Sequence, residues 1–381
     1  MTITPAEVRA AVGAVAAGFA AERDSRSRRT ALDPADFDAL ARAGFLLTGV
    51  PVAHGGLWAG VEHSVRDYCA MLRELARADP SLALVAAMHP AVLAFWLAVE
   101  TATDAPAAWT AQREAFIATA LAGHWWGTVI SEPGSGGDPS RTRTQALAVD
   151  GGWQLSGEKH FGSGSGMTSF MITTARAVGE ERPDLFVIDM RHRPWDGSAG
   201  LELRRAWDGH GMMATQSHAF RLERCPALRM ASPDGFPRAA RVTAQLTPLM
   251  FTAVILGILD VAGAAAHAAV APRWQALRPY EQVVWSQAAN QLWLAQQAFE
   301  GALRAVETQT SGALAAARAK LTVAELAEQA LLSLARVIGG GSFSRSAPFG
   351  QWAQDVRALG FLRPPWGFAY DQLIGLEFAA P

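Results

Sequence analysis

The chain has 381 residues, 50% of them hydrophobic and 18% charged, with a formal net charge of −2. No overall field therefore favours nucleic acid or an anionic membrane, which leaves small molecules and further copies of the chain as partners. Cys69 and Cys225 are isolated and match neither a disulfide framework nor a metal-ligand spacing, so buried thiols in a reducing compartment are expected.

In the N-terminal stretch MTITPAEVRAAVGAVAAGFAAERDSRSRRT the apolar run precedes the basic cluster, the reverse of a secretory signal, and a cytoplasmic protein is expected. From about Pro5 to Leu121 apolar residues recur at helical spacing, and Asp33-Pro34 reads as an N-cap followed by proline at the first helical position. Between Trp125 and Pro226 come short β-branched or aromatic runs (WWGTVI, TQALAV, GWQLSG, SFMITTA, DLFVIDM, HAFRLE) punctuated by Gly, Pro and Asp, the pattern of an antiparallel β-domain. After Pro237 three apolar-faced helices return, which need one another as partners in a bundle. Val242 to Leu259 carries no charge, but Thr243, Gln245, Thr247, Pro248 and Thr252 interrupt it and Asp260 follows, so a buried bundle helix is expected rather than a membrane span. The expected division is a helical domain over 1–122, a β-domain over 123–232 and a helical bundle over 233–381.

Two Gly/Ser-rich segments, ISEPGSGGD (Ile130 to Asp138) and GEKHFGSGSG (Gly157 to Gly166), flank the first part of the strand pattern. Glycine lets backbone approach a ligand closely, and Ser131, Ser135, Ser163 and Ser165 supply small hydroxyls, so a flat polar ligand such as a flavin ring would find partners here. A Gly/Ser hairpin with Phe161 in an ordinary core is the alternative. The helical, β, helical order with ISEPGSGGD and G-x-K-x-F-x-S-G in the middle resembles the acyl-CoA dehydrogenase superfamily of flavoproteins over essentially the whole chain. LARAGFLLTGVPVAHGGL, WDGHGMMATQSHAFRLERC and the stretch from Arg318 through the Gly-Gly turn to an Asp355-x-Arg357 helix start add to the resemblance. It implies an α+β, mainly α fold: a helical N-domain, a central antiparallel β-domain and a C-terminal four-helix bundle.

The resemblance also implies roles. Ile130 and Ser131 match positions that contact the flavin pyrimidine side, while Phe161 and Ser163 match the aromatic and the hydroxyl that cover one face and bond near N5. For the adenine and pyrophosphate end, Arg273, Gln282, Arg336, Gly339 and Gly340 stand at family-like positions that reach a neighbouring subunit's cofactor, which implies FAD, with FMN as an option, and a homodimer or homotetramer. The usual Arg-x-Gln-Phe-Gly run is absent, and the same arginines would suit a solvated bundle surface.

An acyl-CoA dehydrogenase removes the proton beside a thioester carbonyl with a carboxylate while hydride leaves for the flavin. The two positions at which the family places that Glu fall on Arg363 and near Thr247, and arginine cannot serve as a base at neutral pH. The monooxygenase branch of the superfamily uses reduced flavin and oxygen, and His89 in DPSLALVAAMH sits where its sulfur-oxidising members carry an active-site His. His89 and Arg363 are thus the candidate catalytic residues, although a His on an apolar helix also suits a core. Three functions stand open: an FAD-dependent oxidoreductase acting on an acyl-CoA or related acyl thioester with an unorthodox base, a flavin monooxygenase fed by a separate reductase or other electron-transfer partner, and a catalytically lapsed binding protein. Asp208 and His210 read as turn residues, His218 as a solvent-facing strand residue, Lys159 as a structural contact, and Trp366 as a candidate for the substrate mouth. No His, Cys, Asp and Glu grouping has metal-ligand spacing, so no metal is expected.

Overall fold

A side-chain oxygen at the N-cap and a proline in the first turn start three helices of the N-terminal part. The computed structural model describes residues 3–98, 106–231, 237, 240–241, 243–362 and 365–378. Its first helices are α1 (Pro5–Ala21), α2 (Arg23–Arg26), α3 (Pro34–Arg42), α4 (Val61–Ala78), α5 (Pro80–Leu97) and α6 (Ala107–Leu121). Thr4 and Glu7 form a reciprocal capping box on α1, Asp33 accepts from the Ala35 N–H on α3 as expected, and Asp79 accepts from the Leu82 N–H on α5. Asp79 also helps neutralise the buried Arg26, which donates to it at 3.1 Å and to Asp36 at 2.6 Å. One guanidinium thereby joins α2, α3 and the head of α5. Helix α5 is apolar all round and buried, so it forms the floor on which the later elements pack.

The strands are β1 (Trp126–Thr128), β2 (Gln145–Val149), β3 (Gly152–Gly162), β4 (Phe170–Ala177), β5 (Pro183–Asp189), β6 (Leu201–Arg205) and β7 (His218–Arg229). Each expected run contains one of them, and LELRR adds β6. Pairing runs from β4 through β2, β3, β7 and β5 back to β4, a closed ring that leaves few unpaired edges. β1 shares one side of β4 with β2, and both of these pairs are parallel, so the β-domain is antiparallel only in its other pairings. Leu155, Met171, Phe186, Ile188, Phe220 and Cys225 fill the inside of the ring. Burial pushes the Cys225 thiol up to about 11, and Cys69, on the buried face of α4, is raised further; both are inert at neutral pH.

Among the described residues the further helices are α7 (Thr247–Val270), α8 (Pro279–Glu307), α9 (Gly312–Ile338), α10 (Phe349–Gly360) and α11 (Trp366–Glu377). The uncharged stretch becomes the buried helix α7, which packs on α4 so closely that a Cβ at Gly257 would lie 2.5 Å from the Arg73 carbonyl oxygen. Arg73 and Arg77 of α4 close the contact on Asp260 of α7 at 2.6 and 2.8 Å. Helices over Pro80–Leu97 and Thr247–Ala276 are long and apolar enough to cross a membrane, but 89% and 72% of those windows are buried inside the protein. Asp355 lies inside α10 rather than at a helix start. Its carboxylate accepts from the Met212 N–H at 2.5 Å and from Gln351 at 2.9 Å, which ties the bundle to the loop before β7.

Candidate active site

The wall of the site is built from the end of β1 and the end of β3. Ser131, just past β1, bridges to His160 of β3, whose N–H donates to the Ser131 carbonyl at 2.8 Å. Below that bridge Glu132 is buried. Its carboxylate accepts from Lys159 Nζ at 2.6 Å, from the Arg143 and Thr144 N–H groups at 2.6 and 3.2 Å, and from the Thr142 and Thr144 hydroxyls. Burial alone would raise the Glu132 carboxyl, but the Lys159 charge and these donors hold it at about 2. Lys159 also donates to the Thr174 carbonyl at 2.6 Å. The structural contact expected of Lys159 is thus a buried ion pair that pins the whole segment from Ser131 to Thr144 onto β3 and β4.

The pairing of β3 with β7 steps from Lys159–Phe220 to Gly162–His218, three residues against two, which is a bulge. It holds Phe161 at φ 57°, unusual for a bulky residue, and leaves its ring 53% exposed with the Trp207 and His160 rings edge-on at 6.1 Å. Two residues on, Ser163 is buried and its hydroxyl lies 2.7 Å from that of Ser217. Ser217 in turn lies 2.7 Å from the Thr215 hydroxyl, which donates to the Met212 carbonyl at 2.8 Å. The Ser131–His160 bridge thus sets Ile130 and Ser131 beside the segment that carries Phe161 and Ser163, which is the wall of the site. The start of α11 closes against this wall, since a Cβ at Gly137 would overlap the Pro365 ring.

His89 of α5 is completely buried beside Trp125, at 5.4 Å between rings. Its Nε2 lies 3.0 Å from the Leu46 carbonyl oxygen, which can only accept, so Nε2 carries the proton and Nδ1 the lone pair. Nδ1 is buried and has no partner among the described residues. Burial lowers the imidazole to about 4, against which the Leu46 bond acts only weakly. Near pH 7 His89 is therefore a neutral acceptor and not a proton donor at Nδ1. Thr247 is the half-buried first residue of α7, and Arg363 lies outside the described residues.

The residues expected at an adenine end lie elsewhere. Arg273 donates to the Val337 carbonyl at 2.7 Å, which caps the end of α9, and Gln282 donates to the Leu277 carbonyl at 3.0 Å. Gly339 follows α9 at φ 89°, the backbone region that favours glycine, with the exposed Arg336 one turn before it and Gly340 after. Arg273 and Gly339 thus share one end of the bundle, and no hydrogen bond or ion pair among the described residues joins that end to the Phe161 wall.

One expectation changes. His218 is buried and accepts from the Trp207 N–H at 2.9 Å, because the β3 bulge turns it inward; burial lowers its basicity. Asp208 and His210 are exposed. Trp366 covers the ammonium of the buried Lys320 at 5.2 Å, and burial lowers that lysine to about 8. Glu132, Thr215, Ser217 and Asp355 were not singled out as site residues. The charged Glu132 inside a Gly/Ser segment is a signal that could have been used, whereas MMATQSHAF contains none.

Residues 4–123 match the acyl-CoA dehydrogenase N-terminal domain and residues 127–225 its middle domain. The probable FMNH2-dependent monooxygenase SfnC of Pseudomonas putida is 30% identical over 263 residues, 68% of this chain and 60% of that protein, so the chain spans less than two thirds of that relative's length. The amino sugar nitrososynthase DnmZ of Streptomyces peucetius is 26% identical over 361 residues, 90% of this chain and 86% of the relative. Among solved structures, KijD3 in complex with FMN and dTDP-3-amino-2,3,6-trideoxy-4-keto-3-methyl-D-glucose superposes with a TM-score of 0.81 at 21% identity, covering 98% of this chain and 93% of that one, which shows the fold. Two consecutive domains matched in order, on the layering of helices, strand ring and bundle described above, place this chain in the acyl-CoA dehydrogenase family.

Proposed function

We propose that the chain is a flavin-dependent monooxygenase that receives reduced flavin mononucleotide from a separate reductase and oxidises a small molecule at an electron-rich heteroatom. The observation that carries the proposal is the identity of the two positions at which the resemblance puts the dehydrogenases' base, on Arg363 and near Thr247, neither of which can take the proton beside a thioester carbonyl. The chain also carries His89, a buried neutral imidazole whose Nδ1 lone pair has no partner among the described residues.

The residues present fit a flavin. A phenylalanine ring that is more than half exposed and held at positive φ by a bulge is a costly arrangement unless a flat ligand covers it, and Phe161 has that arrangement beside the Ser131–His160 bridge. Ile130, Ser131, Phe161 and Ser163 would hold the ring system. When bound, reduced flavin supplies the two electrons with which dioxygen delivers one oxygen atom to substrate and one to water. Around it, Glu132 and Lys159 keep the wall rigid, and His89 Nδ1 accepts a hydrogen bond from the reacting centre. The likeness to a probable FMNH2-dependent monooxygenase supports the mononucleotide over FAD. The exposed Trp274, Tyr280 and Trp293 on and before α8 support association of copies. DnmZ is named for an amino sugar and SfnC for FMNH2-dependent oxygenation, and a heteroatom substrate is inferred for this chain by that likeness.

The test is anaerobic loading with photoreduced FMN, then exposure to ¹⁸O₂ with a panel of sulfides, sulfinates and amines. One labelled oxygen atom in a product supports the proposal. Reduction of bound oxidised flavin by an acyl-CoA without oxygen would overturn it and restore the dehydrogenase reading.

A further inference from the structure

We propose that Thr215 and Ser217 are positioning residues that fix the polarity of the Ser163 hydroxyl and so make the site select a flavin that arrives reduced. The inference rests on the flavin reading above. Its starting point is the Met212 carbonyl, an acceptor only. Thr215 Oγ1 donates to it at 2.8 Å, which uses the one proton of that hydroxyl. Ser217 Oγ, 2.7 Å from Thr215 Oγ1, must then donate to it, and Ser163 Oγ, 2.7 Å from Ser217 Oγ, must donate in turn. All three residues are buried, so bulk water does not supply a competing proton.

The first link is itself clamped. Trp207 Nε1 donates to the same Met212 carbonyl at 2.9 Å, and the Met212 N–H is held by Asp355 at 2.5 Å in a peptide whose φ is 52°. Every proton in the chain of hydroxyls therefore points from Ser163 towards the Met212 carbonyl. Ser163 keeps only lone pairs for any ligand on the wall. On the flavin reading Ser163 matches the hydroxyl that bonds near flavin N5, a bare acceptor in the oxidised ring and an N–H donor in the reduced ring. A hydroxyl with only lone pairs to offer binds the second and repels the first.

The experiment compares dissociation constants of oxidised FMN and photoreduced FMN, measured anaerobically by flavin fluorescence or calorimetry, with no turnover involved. Wild type is expected to bind reduced FMN at least about tenfold more tightly than oxidised FMN. Ser217→Ala frees Ser163 to rotate and donate, so the preference should fall to within about threefold, chiefly through tighter binding of oxidised FMN. Ser217→Thr keeps the relay and should keep the preference, and melting curves of both variants check that the fold is intact. Equal binding of the two forms by wild type, or an unchanged ratio in Ser217→Ala, would overturn the relay while leaving the flavin reading in place. Failure of wild type to bind either form would overturn both.

Discussion

Lys159→Met keeps the length of the side chain and removes the charge that faces Glu132 at 2.6 Å. The carboxylate retains its four other donors but loses its cation at a place where the Glu132 side chain is only 3% exposed. Breaking one side of a buried pair costs about 3–5 kcal/mol. A second measure comes from the Glu132 carboxyl, which is depressed from 4.5 to about 2 against the opposing effect of burial. That depression is worth about 3 kcal/mol at neutral pH, an upper figure because some solvent screening remains. The stabilisation is complete above pH 4.5 and is lost as the pH falls towards 2. Urea unfolding at pH 7, followed by tryptophan fluorescence, should show the variant about 3 kcal/mol less stable with an unchanged denaturant slope. Lys159→Met combined with Glu132→Gln should recover more than half of the loss, because neither charge is then left alone. A single variant within about 1 kcal/mol of wild type, or a double variant as unstable as the sum of the singles, would refute the claim that this pair holds the wall.

Three other perturbations probe neighbouring elements. Burial raises Asp355 to about 7 despite its bonds from Met212 and Gln351, so its charge is a liability that grows as the pH rises from 3.8 through 7. Asp355→Asn keeps an acceptor for both donors and should stabilise the protein by about 2–4 kcal/mol at pH 8, with the gain vanishing towards pH 4; no gain at pH 8 counts against the buried charge. His89, held neutral down to about 4, makes wild type lose up to about 3 kcal/mol as the pH falls from 6.5 to 4. His89→Gln should flatten that dependence in melting curves, and parallel slopes would reject it. Gly49→Ala puts a Cβ 2.8 Å from His89 Nε2 and into Leu93, so a loss of about 1–3 kcal/mol is expected in the same assay, and a neutral result would show that the His89 pocket yields easily.

The helices were legible because their signals are local. Asp33-Pro34 caps α3 as read, and the uncharged stretch after Val242 becomes a buried helix because its neighbours in the bundle cover it. The strands were legible for the same reason, except β6, whose five residues carry two arginines and a glutamate and so lack an apolar run. What periodicity cannot supply is pairing between distant segments. The parallel contacts of β4, the closure of the ring and the bulge at Phe161 all depend on register with residues far along the chain. The inward turn of His218 follows from that bulge. In the site, the Gly/Ser segments pointed to the wall because their composition is unusual, whereas Thr215 and Ser217 matter through hydrogen bonds to Met212 and Ser163 that their composition does not announce.

The packing of Pro365 on Gly137 has a consequence for how the protein is made. The strand ring and its wall lie in the middle of the chain and can close as soon as β7 has left the ribosome. The surface that covers Gly137 is synthesised only after the bundle helices, so the nascent protein carries this segment without its closing contact through the whole interval in between. A chain stopped before Pro365 would keep its barrel and lack the closing contact.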